Sequence, residues 1–396
     1  MRVNRMRCIE TFEKLYKRTP DGVSFCPYRI CPIGAHSDHQ YGKITGLAID
    51  KGIHVAYGVK MNGIIEVSSI QFDKRAQFHI NAIPKTKQND WADHLRGAVL
   101  MLSQNYILSV GLCCVIDGSL PIGGLSSSAT VIISFLSALC KVNGIVMSQH
   151  ELILTAMKAE NEYVGVACGK LDQSCEVYSK KDHLLYLDTL DDTFELIPTQ
   201  PNMKPYEIAI FFSGIERTLA GTKYNMRVDE CRSAAYALKA FAGMDYGKFS
   251  DTYLREVPRE VYEQFKDKLP TNWAKRAEHW YTEYDRVIAG AQAWRNGDIE
   301  EYGRLCFQSG LSSIHNWETG SPELIALYDA LNQVDGVYGA RFSGAGFKGC
   351  CMALIDPAYR ESIEKAVSVS YLKQFPLLEG KYSVHICQSA DGVKLM

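Results

Sequence analysis

Residues 121–130 read PIGGLSSSAT, between LCCVID at 112–117 and VIISFLSALCKV at 131–142. The first flank is a short, continuous apolar run, the pattern of a buried strand, and the second is long enough for a helix. Strand, small-residue turn and helix in that order put the turn at a helix N-terminus. Small residues let backbone wrap a phosphate, and the N–H groups of the first helical turn point at the anion. A serine hydroxyl there can also serve as an oxygen ligand to Mg²⁺. A plain Gly/Ser turn with a helix cap would look similar. No Gly-Lys-Ser/Thr follows, which excludes a Walker A loop.

Two other segments have comparable character. Residues 339–351, GARFSGAGFKGCC, hold four glycines in eleven residues within strand-like flanks. They suggest either close backbone approach to a ligand or a tight bulged hairpin. Residues 27–43, PYRICPIGAHSDHQYGK, gather Arg29, His36, Asp38 and His39 around a Pro-Ile-Gly turn. Sugars are discriminated by convergent hydrogen-bonding groups, because a missing hydroxyl leaves a partner unpaired; a solvated polar loop is the other reading. His36 and His39 have no third ligand at metal-like spacing. Gly-rich loops in both halves of the chain point to one polyphosphate or sugar site shared between domains.

The rest of the chain bounds these readings. At 396 residues it is long for one core, so two domains are expected. A net charge of −2 without a long basic run gives no pull towards nucleic acid. The thirteen cysteines contain no C-x-x-C pair, and Cys113-Cys114 and Cys350-Cys351 sit in apolar runs, so reduced buried thiols are expected. No apolar h-region follows the charged N-terminus and no stretch of about 18 apolar residues occurs. A cytoplasmic protein without a membrane partner is expected.

Apolar spacing predicts helices over 3–18, 91–109, 151–164, 226–242, 275–295, 299–309 and 322–333, and strands at 44–49, 53–59, 64–70 and 184–189. The turn VACGKLDQ is placed after the fourth-named strand's preceding helix, at 166–173. Three prolines between 190 and 206 mark the boundary between domains of 1–200 and 201–396.

The three segments, in this order, resemble the motifs of the GHMP kinases, and the galactokinase branch fits best. YRICPIGAHSDH is similar to G-R-x-N-L-I-G-E-H-T-D-Y at Arg29, Gly34, His36 and Asp38. G-L-S-S-S-A stands at 124–129, and G-A-R-x-[ST]-G-x-G-F-x-G-C at 339–350. ENEYVGVACGKLDQ (160–173) and LAGTKYNMRVDEC (219–231) resemble two further family stretches. The resemblance implies an α+β, two-domain GHMP fold with a ferredoxin-like C-terminal domain and the active site in the interdomain cleft. It implies an ATP- and Mg²⁺-dependent sugar 1-kinase, with sugar and ATP as its partners. Asp172 would be the catalytic carboxylate, with Arg29 stabilising γ-phosphoryl charge and holding Asp172 ionised. Ala35, His36, Ser37, Asp38, Gly169 and Tyr224 would line the sugar site. Gly123, Gly124, Leu125, Ser126, Ser127 and Ser128 would cradle the triphosphate, together with Gly344 and Gly346. Ser128 and Glu160 would hold Mg²⁺, and Trp91 falls in the adenine-side stretch.

Departures from the motif concern the substrate. Where the family has glutamate, facing the sugar's C6 hydroxyl, this chain has Ala35. Its first and third segments look similar to those of galacturonokinases. Lys170 and Lys348 add positive charge near motif positions, where surface lysine is the ordinary reading. The second motif is one residue short, which bears on Gly123. The resemblance favours galacturonate over galactose as substrate. A non-catalytic sugar sensor would be expected to lose the serine segment or Asp172, and both are present.

Overall fold

The first half of the chain is built on an eight-stranded sheet. The computed structural model describes residues 2–73, 75–121, 123–216 and 221–396; Ile122 of the PIGGL turn, and Leu219 and Ala220 ahead of Tyr224, lie outside these. Helix α1 (Arg2–Tyr16) precedes β1 (Gly22–Ile30), β2 (Lys43–Lys60), β3 (Ile64–Ser69) and β4 (Ala76–His79). Then come α2 (Asp93–Ser103), β5 (Gly111–Gly118), α3 (Ser127–Val142), α4 (Gln149–Lys158), α5 (Leu171–Tyr178), β6 (His183–Asp188) and β7 (Phe194–Pro198). The order is β1-β2-β5-β3-β4, with β6 on β2 and β7 on β6. Among the described residues only β3 and β5 pair in parallel. Helix α3 packs on β1 and β2. It buries Ile132, Ile133, Phe135, Leu136 and Leu139, the stripe that a 3.6-residue period presents to a sheet.

The second half begins with β8 (Glu207–Phe212) and a helical insertion of α6 (Gly221–Phe241), α7 (Arg259–Phe265), α8 (Thr271–Arg295) and α9 (Ile299–His315). It continues through α10 (Pro322–Leu331), β9 (Val337–Phe342), β10 (Cys350–Ile355), α11 (Arg360–Gln374) and β11 (Ser383–Cys387). Strand order β11-β8-β10-β9, all antiparallel, is the ferredoxin-like arrangement. The last strand, β12 (Lys394–Leu395), returns to pair with β1. All thirteen cysteines are free thiols, twelve of them buried. Among the described residues no helix is long and apolar enough to cross a membrane.

Several elements differ from the sequence expectation. The strands expected at 44–49 and 53–59 are one strand, β2, which pairs with β1 on both sides of a register shift at residues 49–51, between the pairs Arg29–Ala48 and Pro27–Gly52. A side chain at Gly52 would lie 2.1 Å from the Cys26 carbonyl. The helix expected over 91–109 ends at Ser103. The one expected over 151–164 is α-helical only to Lys158, and a π-helical turn spans Ala159–Val164. The turn placed at VACGKLDQ already contains the start of α5, with Asp172 in its first turn.

A buried ion cluster ties the second half to the loop after β1. Arg341 on β9 and Glu283 on α8 are both fully buried, 3.5 Å apart. Arg341 also donates to Ser309 and, at 2.9 Å, to Ser313 on α9. Glu283 accepts from the Gly34 N–H at 2.6 Å and pairs with Arg286 at 2.8 Å. Burial opposes its charge, but Arg286, His279 and Arg341 outweigh that and hold its carboxyl down at about 2. Gly34 has φ +108°, and a Cβ there would lie 2.6 Å from the Ile44 backbone. Removing one partner of such a cluster strands a buried charge. Arg341→Met is therefore expected to cost about 3 kcal/mol in denaturant unfolding, with part recovered in Arg341→Met/Glu283→Gln. A cost under about 1 kcal/mol would contradict this account.

Candidate active site

A cavity of about 550 Å³ opens between the halves, a size suited to a small organic ligand. One wall is the turn before α3. Gly123 and Gly124 have φ +147° and +81°, and Ser126, the residue ahead of the helix, is left-handed at +63°. Side-chain-free backbone is required: a Cβ on Gly124 would lie 2.8 Å from Cys350 Sγ, and one on Gly344 would lie 2.9 Å from the Gly124 carbonyl. The two Gly-rich segments thus pack on each other, and Gly123, Gly124, Ser126, Ser127, Ser128, Gly344 and Gly346 all line the cavity. Helix α3 presents its N-terminus there, where an anion is favoured.

Arg29 joins all three segments. Its side chain is 3% exposed and its Nε donates to Asp172 Oδ1 at 2.7 Å. Its second nitrogen donates to the Gly124 carbonyl and to Ser343 Oγ, each at 3.3 Å. Burial opposes the guanidinium charge, and Asp172 more than restores it. Ser126 donates its hydroxyl to Asp172 Oδ2. Asp172, 31% exposed at its side chain, lines the cavity. A carboxylate so placed can accept or orient a hydroxyl proton of a bound substrate.

The other polar wall comes from the loop after β1. Ala35, His36, Asp38, Gly169 and Tyr224 line it. His36, at φ +65°, stacks on Trp317 with ring centroids 4.9 Å apart. His279 donates to the Ala35 carbonyl at 3.0 Å, fixing that backbone. Burial keeps the histidines neutral, lowering His36 well below its usual range and His39 to about 3. His36 Nε2, both His39 nitrogens and Trp317 Nε1 have no protein hydrogen-bond partner, so neutral polar groups concentrate here. Asp38 Oδ2 accepts from the Leu171 N–H at 3.0 Å. Gly169 must lack a side chain, since its Cβ would fall 2.3 Å from that oxygen.

Glu160 and Ser128 both line the cavity, and Gln173 donates to Glu160 Oε2 at 2.6 Å. Their oxygens are the donor type Mg²⁺ takes. Trp91 stacks on Phe72 at 5.5 Å, and both line the cavity beside Tyr28 and Leu120, an apolar surface suited to a base.

Two expected site residues lie off the cavity lining. Ser37 does not line the cavity; its hydroxyl donates to the Gly34 carbonyl at 2.8 Å and stabilises the turn. The Leu125 side chain is in the main hydrophobic core and contributes no wall. Lys170 is paired with Asp192 and is not part of the lining, whereas Lys348 is. Sequence reading missed Trp317, Phe72 and Ser343. Ser343 lay inside a quoted motif, whereas no local pattern marks Trp317 or Phe72.

A phosphate-type helix N-terminus, a carboxylate on a buried arginine and a polar pocket beside them define a phosphotransferase site. The family model for the GHMP kinases N terminal domain matches residues 93–180, and that for the GHMP kinases C terminal matches 264–373. A galacturonokinase of Arabidopsis thaliana is 37% identical over 94% of this chain and 93% of its own length. A galactokinase of Roseiflexus sp. (strain RS-1) is 30% identical over 97% and 95%. The crystal structure of Lactococcus lactis galactokinase complexed with galactose superimposes with TM-score 0.88 at 26% identity, covering 98% of both chains. The chain belongs to the GHMP kinases, with the sugar kinases of the galactokinase and galacturonokinase type.

Asp38 offers a pH test. Burial, reinforced by the Asp172 charge, raises its carboxyl to about 6 against the Leu171 hydrogen bond. Below that pH the group takes up a proton and loses an acceptor. The profile of kcat/KM, which reports free-enzyme groups, should fall on the acid side with an apparent pKa near 6. A profile flat down to about pH 5 would contradict an ionised Asp38 in sugar capture.

Proposed function

We propose that this enzyme transfers the γ-phosphoryl group of ATP to the anomeric hydroxyl of D-galacturonate, giving galacturonate 1-phosphate. The observation that carries the reading is Ala35: its side chain forms cavity wall beside His36 and Asp38, where galactokinases place a glutamate against C6. Two like charges about 4 Å apart at an effective dielectric near 20 repel by roughly 4 kcal/mol. Alanine removes that penalty for a C6 carboxylate. Lys348 supplies a cation to the same cavity. The neutral His36 ring, which lines the cavity and whose Nε2 has no protein partner, can donate to a carboxylate without a charge of its own.

In this reading Asp172 takes or orients the proton of the attacking hydroxyl, and Arg29 orients Asp172 through its hydrogen bond and offsets charge on the transferring group. Backbone N–H groups at the start of α3, with Ser126 and Ser127, hold the triphosphate. Ser128 and Glu160 would hold Mg²⁺, which would neutralise phosphate charge when bound. The intact pair of Arg29 and Asp172 favours turnover over a sensor role.

Ala35→Glu is the test, because the backbone at 35 is already fixed by His279 and only the side chain changes. The ratio of kcat/KM for galacturonate to that for galactose should fall by about tenfold to a thousandfold, since up to roughly 4 kcal/mol is available and water lowers it. An unchanged ratio would mean that residue 35 does not face C6.

A further inference from the structure

Glu176 is fully buried, one helical turn beyond Asp172 on α5, and none of the chemistry above uses it. Its Oε1 lies 2.6 Å from Thr130 Oγ1 on α3. The same hydroxyl lies 2.9 Å from the Ser126 carbonyl. A threonine hydroxyl has one proton, and a carbonyl can only accept. If Glu176 were a carboxylate, one of these two contacts would join two acceptors without a proton between them. If Glu176 carries a proton, the count closes: its O–H donates to Thr130 Oγ1, and Thr130 donates to the Ser126 carbonyl.

The surroundings agree. Cys26, Tyr28 and Arg29 face the group from β1, Asp172 and Cys175 from its own helix, and Glu160 from the π-helical turn. Arg29 is the one cation among them, and it is committed to Asp172, Gly124 and Ser343. Burial, with the Asp172 charge added, pushes the Glu176 carboxyl well above its usual range. Cys26 Sγ, at 3.8 Å from Oε2, is a weak donor and does not compensate a buried charge.

We propose that Glu176 is a positioning residue held as a neutral carboxylic acid, whose hydrogen-bond chain through Thr130 fixes the left-handed Ser126 and sets the phosphate loop relative to the helix carrying Asp172. Ser126 is the end of this chain and also donates to Asp172. The chain therefore runs from the Glu176 proton through Thr130 to Ser126, whose own hydroxyl reaches the carboxylate that, in the reading above, receives the substrate proton. Loop misplacement on the scale of an ångström costs on the order of a hundredfold in rate.

Two measurements test this. The infrared difference between wild type and Glu176→Gln at neutral pH should show loss of a protonated-acid C=O stretch. Loss of a carboxylate band instead overturns the proposal, and this readout does not depend on activity or on which sugar is the substrate. In steady-state kinetics Glu176→Leu and Thr130→Val should each lower kcat about tenfold to a hundredfold at unchanged sugar KM. Glu176→Gln, whose amide N–H can replace the acid O–H, should restore most of that loss. If the glutamine variant is as impaired as the leucine variant, or the leucine variant keeps wild-type kcat, the chain does not position the loop. Should the leucine variant fail to fold, Thr130→Val against Thr130→Ser decides the same point.

Discussion

A buried arginine cannot stay charged without partners, and Arg29 finds them in every segment that builds the site. Asp172, the Gly124 carbonyl and Ser343 each take one of its donors. Stranding such a charge would cost several kcal/mol, so the three segments must arrive in register for the guanidinium to be satisfied. The two Gly-rich loops consequently touch through backbone, and the cavity lies where they meet. Asp172 in turn gains a fixed orientation from the Arg29 Nε at 2.7 Å and a cationic neighbour at the cavity wall.

The first half supplies the Gly/Ser turn before α3 and Asp172, yet the second half holds the loop after β1 in place. Glu283 and His279, both on α8, fix Gly34 and Ala35 through their backbone atoms. Trp317 gives His36 a flat face to stack on. The cavity wall at residue 35 is thus built from a residue of one half whose backbone is clamped by the other. This arrangement lets the wall at residue 35 change character by a single substitution while the loop stays put.

Much of the site was legible because its chemistry requires unusual residues. Gly34, Gly124 and Gly344 occupy backbone positions that a side chain would obstruct, and such demands leave a visible trace in sequence. Features that depend on distant partners left none. Strand β1 carries Arg29 but is buried along nearly its whole length, so it shows no alternation to read. The π-helical turn holding Glu160 follows the same apolar spacing as the helix before it. Ser37 sits among the family's sugar contacts, and only the structure shows its hydroxyl spent on the turn. Glu176 looks like an ordinary helical glutamate until its burial and the single proton of Thr130 are considered together.

If residue 35 faces C6 as proposed, a kinase of this family with alanine there should tolerate a negative charge at C6. The most direct measurement is the initial rate of ADP release by the wild-type enzyme with D-galacturonate and with D-galactose under identical ATP and Mg²⁺, taken to kcat/KM. The account predicts a clear preference for galacturonate, with the phosphate of the product on the anomeric carbon. A preference for galactose, or turnover of neither sugar, would contradict it.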